Sequence, residues 1–255
     1  MFGVVLVSQV VGMTIALVVA IAIGESAPLS ADLAWSVAGA ITAGVGITAL
    51  YHGLSVGRMG VVAPITAVIA ALIPVGVGIL VEGVPPWLVL AGIGLAIVAV
   101  VLVSRVTDET PHGDEPRESG FRFALLGGIG IGAFSVCLAQ ISDGHTFWPL
   151  AVIRGLEGVL LAGVIVVTRS AWRAPRRLLP AMTGVGVLDM AGNVFFLLAV
   201  QAGALAVAAV LSSLYPVTTV ILATIVLHER VTRSHAAGIA LAAVAVACIA
   251  LGSAA

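Results

Sequence analysis

The chain has 255 residues, 61% of them hydrophobic and 9% charged, with a formal net charge of -1. A soluble domain carries roughly 25% charged residues, so this composition excludes a water-soluble globular protein. The absence of a basic stripe excludes a nucleic-acid partner.

In chain order, apolar runs close to the roughly 20 residues that cross a bilayer predict nine membrane helices, at 2–24, 31–53, 57–80, 86–104, 121–141, 147–168, 180–200, 204–227 and 235–253. The first run lacks a basic flank and a small-residue cleavage site and is longer than a signal-peptide core, so it reads as a span. Short polar breaks at 25–32, 82–86, 142–146, 169–177 and 228–235 separate the runs. The one long connection, rich in charge, Pro and Gly, is VTDETPHGDEPRESGF, and it divides the chain in two. Cys137 and Cys248 both fall inside apolar runs, where they act as small hydrophobes rather than as a disulfide.

The two halves repeat. A shift of 146 residues lays GIGLAIVAV (92–100) over GIALAAVAV (238–246) with seven identities in nine, and Gly12, Gly46 and Gly57 over Gly158, Gly192 and Gly203. The expected organisation is a first repeat of four spans at 1–104, a charged linker at 105–120 and a second repeat of five spans at 121–255. The helix at 121–141 then has no counterpart at the amino terminus, so the first half reads as lacking one helix.

Arginine sets the expected orientation, because the chain contains no Lys and all eleven basic residues are Arg. With the amino terminus inside, Arg58, Arg105, Arg117, Arg122, Arg169, Arg173, Arg176, Arg177, Arg230 and Arg233 all fall on the cytoplasmic side, as the positive-inside rule favours. The carboxyl terminus is then outside, and Glu25, Asp32, Glu82 and Asp143 mark outer loops.

Two segments, SVGRMGVVAPITAVIAALIPVGVGILVEGVPPWLVLAGIGLAIVAVVLVSR (55–105) and QAGALAVAAVLSSLYPVTTVILATIVLHERVTRSHAAGIALAAVAVACIALG (201–252), resemble the closing helix pair of EamA-like permeases of the drug/metabolite transporter superfamily. The shared pattern is a small-residue helix with a central Pro, a Glu-containing loop and a Gly-led final helix. The second copy carries Pro216, Glu229, Arg230 and Gly238, whereas the first reads Glu82-Gly83-Val84-Pro85 where Glu-Arg-Pro is usual. The resemblance implies an all-α polytopic membrane protein built as two inverted repeats, with the first of the usual ten helices missing. It also implies a multi-pass protein of the bacterial plasma membrane, and the family's usual orientation puts the 169–177 loop outside, against the arginine count.

Ionisable side chains within spans cost roughly 2.5 to 3.5 kcal/mol each on insertion scales and mark functional sites. Arg154 and Glu157, three apart, share one face of the helix at 147–168, and Asp189 and Asn193, four apart, share one face of the helix at 180–200. Their counterparts in the first half are Ser8, Val11, Ala43 and Ile47, so the polar path is asymmetric. Two readings stand open. In one, the four line a cavity, with Arg154 on a substrate carboxylate and an acid either pairing with it or carrying a proton. In the other, Arg154 and Glu157 form a structural pair and Asp189 bonds a neighbouring helix. Trp148, Gln140, Ser212 and Tyr215 are further substrate-binding candidates, beside Gln9, Thr48, Tyr51 and Ser213. Pro64, Pro74 and Pro216 interrupt apolar helices and are candidate helix breaks or gates. Gly128 and Gly132 give a GxxxG packing spacing.

The histidines are scattered at span ends and in loops, so neither a metal nor a cofactor is expected. The functional expectation is a secondary transporter moving small metabolites, amino acids or related solutes, outward by alternating access, the partners being a small solute and the lipid bilayer. A non-transporting membrane subunit or scaffold is the alternative. An intramembrane enzyme needs a nucleophile and base or a ligand cluster at one depth, and the spans supply no deep His.

Overall fold

Without water to satisfy backbone N–H and C=O groups, a chain crossing lipid must bond them internally, and helices do so segment by segment. In the computed structural model, which describes residues 2–57, 59–104, 118–169, 176–203, 205–214, 217–218, 221 and 233–253, the regular elements are helices. They are α1 (Phe2–Ile23), α2 (Ser30–Val56), α3 (Met59–Glu82), α4 (Trp87–Ser104), α5 (Glu118–Ala139), α6 (Phe147–Thr168), α7 (Leu179–Gln201), α8 (described over Leu205–Ser213) and α9 (Arg233–Ser253), with a 3-10 turn at Arg176–Leu178. Seven helices among the described residues are long and apolar enough to cross a membrane.

Helix ends run past the apolar runs at several places. α2 reaches Val56 rather than 53, and α5 begins at Glu118 rather than 121. Hydropathy marks where hydrocarbon ends, while backbone hydrogen bonding continues into the polar layer. Most of the linker, 105–117, lies outside the described residues, as do Arg173, the 222–232 segment with Glu229 and Arg230, and the site candidates Tyr215 and Pro216. α3 runs unbroken through Pro64 and Pro74.

The described residues fall into two compact units. The first comprises Met1–Gly44 and Cys137–Gly203, hence α1, the start of α2, the end of α5, α6 and α7. Here α1 packs against both α6 and α7. The approach of α1 to α7 depends on Gly186, where a Cβ would stand 2.9 Å from the Cβ of Val11 and 3.1 Å from the Cα of Ser8.

The second unit comprises Val45–Val136 and Ala204–Ala255. Its core is made of small and branched side chains, among them Ala67, Val75, Ile93, Val210 and Ala245. α4 and α9 pack tightly and antiparallel: a Cβ on Gly92 would meet Ile249 and Ala245, and a Cβ on Gly238 would meet Val103 and Ala99. The 146-residue shift converts the first contact into the second. Gly128 and Gly132 of α5 lie against Ile69 and Ile73 of α3, the use expected of their spacing. Thr66 Oγ1 donates across that interface to the Ala124 carbonyl at 3.1 Å.

Candidate functional site

The first unit holds a charge cluster assembled from three helices around a buried guanidinium. Arg154, on α6, is 7% exposed. Its Nη2 lies 2.7 Å from Asp189 Oδ2 on α7, and its Nη1 donates to Gln9 Oε1 on α1 at 2.9 Å. Glu157 Oε2, one turn further along α6, is 3.4 Å from Nη1. Small residues let the three helices supply these partners. Gly158 faces Gln9, Gly155 faces Met13, and the Arg154 stem lies along Gly12. Gly186, one turn before Asp189, brings α7 against α1. Arg154 Nε is buried and makes no hydrogen bond.

Arg154, Glu157 and Asp189 thus meet, and Gln9, a secondary candidate in sequence, is a direct ligand of the guanidinium. Its signal was a carboxamide within an otherwise apolar run, but nothing local ties it to a residue 145 positions away. Asn193 lies one turn from Asp189 and donates to the Asp189 backbone carbonyl at 2.8 Å.

The remaining candidates stand apart. Trp148 sits at the start of α6, where its Nε1 donates to the Glu25 carbonyl at 3.1 Å. Gln140 is exposed just after α5, and Ser212 is exposed on α8 in the second unit. Thr48 and Tyr51 lie in the α2 segment of the second unit, and Ser213 Oγ bonds the carbonyl of Val210 in its own helix.

A second polar cluster ties one end of the first unit together, and sequence reading treated its acids only as loop markers. α1 ends in a Schellman turn: Gly24 takes φ 68°, its N–H reaches the Ile21 carbonyl, and the Glu25 N–H reaches that of Ala20 at 2.9 Å. The turn delivers the Glu25 carboxylate to the start of α6, where it accepts from the backbone N–H groups of Thr146 (2.8 Å), Phe147 (2.9 Å) and Trp148 (3.2 Å). Thr146 makes no side-chain cap of its own, so Glu25 caps α6 from another segment. Asp32 is a fully buried residue of the first turn of α2. It accepts from the N–H of Leu29 (3.1 Å) and of Ser142 (2.9 Å), and His145 Nδ1 stands 3.3 Å away. Gln201, at the end of α7, donates to the carbonyls of Ser142 (3.2 Å) and His145 (3.1 Å). In the second unit Glu82 plays a related part, accepting from the Leu205 N–H at the start of α8 at 3.0 Å.

Long apolar helices with ionisable groups held inside them by partner helices define a multi-pass membrane protein. The profile of the EamA-like transporter family matches residues 118–251, more than half of the chain, and the protein belongs to that family, within the drug/metabolite transporter superfamily. It is therefore a transporter of that class. A protein of solved crystal structure shares the fold with a TM-score of 0.77 at 17% identity, over 98% of this chain and 87% of its own. No curated protein matches the sequence.

Proposed function

We propose that the protein is a secondary transporter that exports small metabolites, amino acids or related solutes, from a bacterial cell by alternating access, with no enzymatic step. Arg154 is the principal solute-binding charge. The observation that carries this is a guanidinium buried mid-span with donors to spare, since its planar fork suits a carboxylate and its buried Nε–H has no partner. The structural alternative accounts for Glu157 and for Asp189 bonding a neighbouring helix, but not for the further partner brought from α1.

The division into repeats at 1–104 and 121–255, joined by the linker at 105–120, is part of the same proposal. It is supported by the reciprocal contacts of Gly92 and Gly238, which place equivalent residues of α4 and α9 on each other. Inverted repeats of this kind are the usual basis of alternating access.

Counterflow in vesicles reconstituted with purified protein tests the reading. Vesicles loaded with a mixture of unlabelled amino acids should accumulate a labelled one, and Arg154→Lys, which keeps the charge but loses the fork, should lower that rate about tenfold. Full counterflow by a well-folded Arg154→Ala protein overturns the role of Arg154. No counterflow with any amino acid overturns the solute class.

A further inference from the structure

We infer that Asp189 is the exchangeable partner of Arg154 and selects zwitterionic over simply anionic solutes. A solute carboxylate takes the Nη2 edge that Asp189 now holds, and the released Asp189, together with Asn193, takes the solute's cationic nitrogen. This rests on the assignment of Arg154 as the solute-binding charge.

The two acids beside Arg154 are not equivalent. The Glu157 side chain is 10% exposed, sits on Arg154's own helix, and shares Nη1 with Gln9 at the longer distance of 3.4 Å. The Asp189 side chain is 44% exposed, comes from a different helix, and holds Nη2 at 2.7 Å. Asp189 lies near the middle of the 23-residue α7. A carboxylate that open at that depth is compatible with water or a polar ligand beside it, not with lipid tails.

The donors left over have the geometry of a carboxylate site. Nε and Nη2 form the side of a guanidinium that receives both oxygens of a carboxylate at once. Asp189 is within reach of Nη2, while Nε, on the same side, makes no hydrogen bond. A ligand bringing both oxygens to that side uses a donor that Asp189 leaves idle, so the exchange gains a hydrogen bond. Asn193 completes the second half of the site. Its Nδ2 is committed to the Asp189 backbone carbonyl at 2.8 Å, which leaves its Oδ1, one helical turn along α7 from Asp189, as an acceptor for the solute's nitrogen.

Charge counting decides what such a ligand must carry. With both acids ionised, one guanidinium and two carboxylates sum to a net charge of -1. A bare carboxylate would add a second uncompensated negative charge in surroundings of low dielectric, where like charges repel strongly. A zwitterion adds none, and its cation meets the acid that its own carboxylate displaced.

The test is calorimetric binding to the purified full chain of matched pairs: alanine, leucine and phenylalanine against propionate, 4-methylvalerate and 3-phenylpropionate. The wild type should bind the better zwitterions at least tenfold more tightly than their deaminated partners. Asp189→Asn, which keeps an oxygen for Nη2 but removes the charge, should bring that ratio to within twofold, chiefly by weakening the zwitterion. Asn193→Ala should narrow the ratio in part and serves in its place if the first variant does not fold. A ratio unchanged in a folded Asp189→Asn protein, or in Asn193→Ala where only that variant folds, overturns the inference. So does a wild type that binds both members of each pair equally, even if Asp189→Asn then abolishes a pH dependence, since Asp189 would be a proton carrier instead. A wild type that binds no member of the panel overturns the solute class of the proposed function, and the inference with it.

Discussion

Burying an arginine in a span is tolerable when its charge meets counter-charges and its donors meet acceptors, and Arg154 meets Asp189, Gln9 and Glu157 within 3.4 Å. Removing one member of such a set leaves the others unpaired, at about 3 kcal/mol for a buried pair. Arg154→Ala is therefore expected to lower the thermal unfolding midpoint in detergent, and Glu157→Ala added to it should recover part of the loss. A double mutant no more stable than Arg154→Ala alone would show that Glu157 gains nothing from Arg154. Much of this was readable in advance, because an Arg and a Glu three apart in an apolar run share a helix face whatever the tertiary fold. The closest partner was not, since Asp189 lies on another helix and its approach depends on how α1, α6 and α7 pack. Asp32 was misread for a related reason. A lone acid at the edge of an apolar run looks like a loop residue, but two backbone N–H groups from separate segments make it worth burying.

Among elements, what fixes α6 is supplied from outside it. The Schellman turn at Gly24 presents Glu25 to three backbone N–H groups that Thr146 leaves unsatisfied, and charge at a helix N-terminus adds to the hydrogen bonding. Glu25→Ala is expected to cost about 1–2 kcal/mol, read as a lower unfolding midpoint, with Glu25→Gln intermediate because it keeps an acceptor without the charge. Equal stability of all three proteins would remove the cap from the account. The α1 and α7 pair depends on a missing side chain. Gly186→Leu should push the two helices apart, with about 1–3 kcal/mol lost to overpacking, and should reduce solute binding as Asp189 moves away from Arg154. Retained binding in that variant would detach the charge cluster from this packing. Helix existence was legible from apolar run length, whereas these caps were not, because a helix capped in trans leaves no Ser, Asp or Asn signature at its own start.

For the molecule as a whole, the distribution of arginine makes a prediction about sidedness. The linker and the loop between α6 and α7 are separated by two helices, α5 and α6, and so fall on the same side of a bilayer. Arg105, Arg117 and Arg122 lie in or beside the linker, and Arg169, Arg173, Arg176 and Arg177 in the loop, whereas the connections at 24–29, 83–86, 140–146 and 202–204 contain no arginine. Short cytoplasmic loops retain Arg and Lys during insertion, so the arginine-bearing side is expected to face the cytoplasm. The cluster of Glu25, Asp32, His145 and Gln201, at the other ends of α1, α6 and α7, is then expected to face outward. Acidic residues contribute little to orientation, so the position of those carboxylates is a consequence of the arginines and not a second argument for it. The usual orientation of EamA-like permeases would reverse both assignments. A cysteine introduced at position 173, with Cys137 and Cys248 first replaced by Ala, decides between them: an impermeant thiol reagent should label it only after the cells are opened, and a cysteine at 143 should label in intact cells. Labelling of position 173 from outside intact cells would overturn the arginine argument and place the Glu25 cap on the cytoplasmic face.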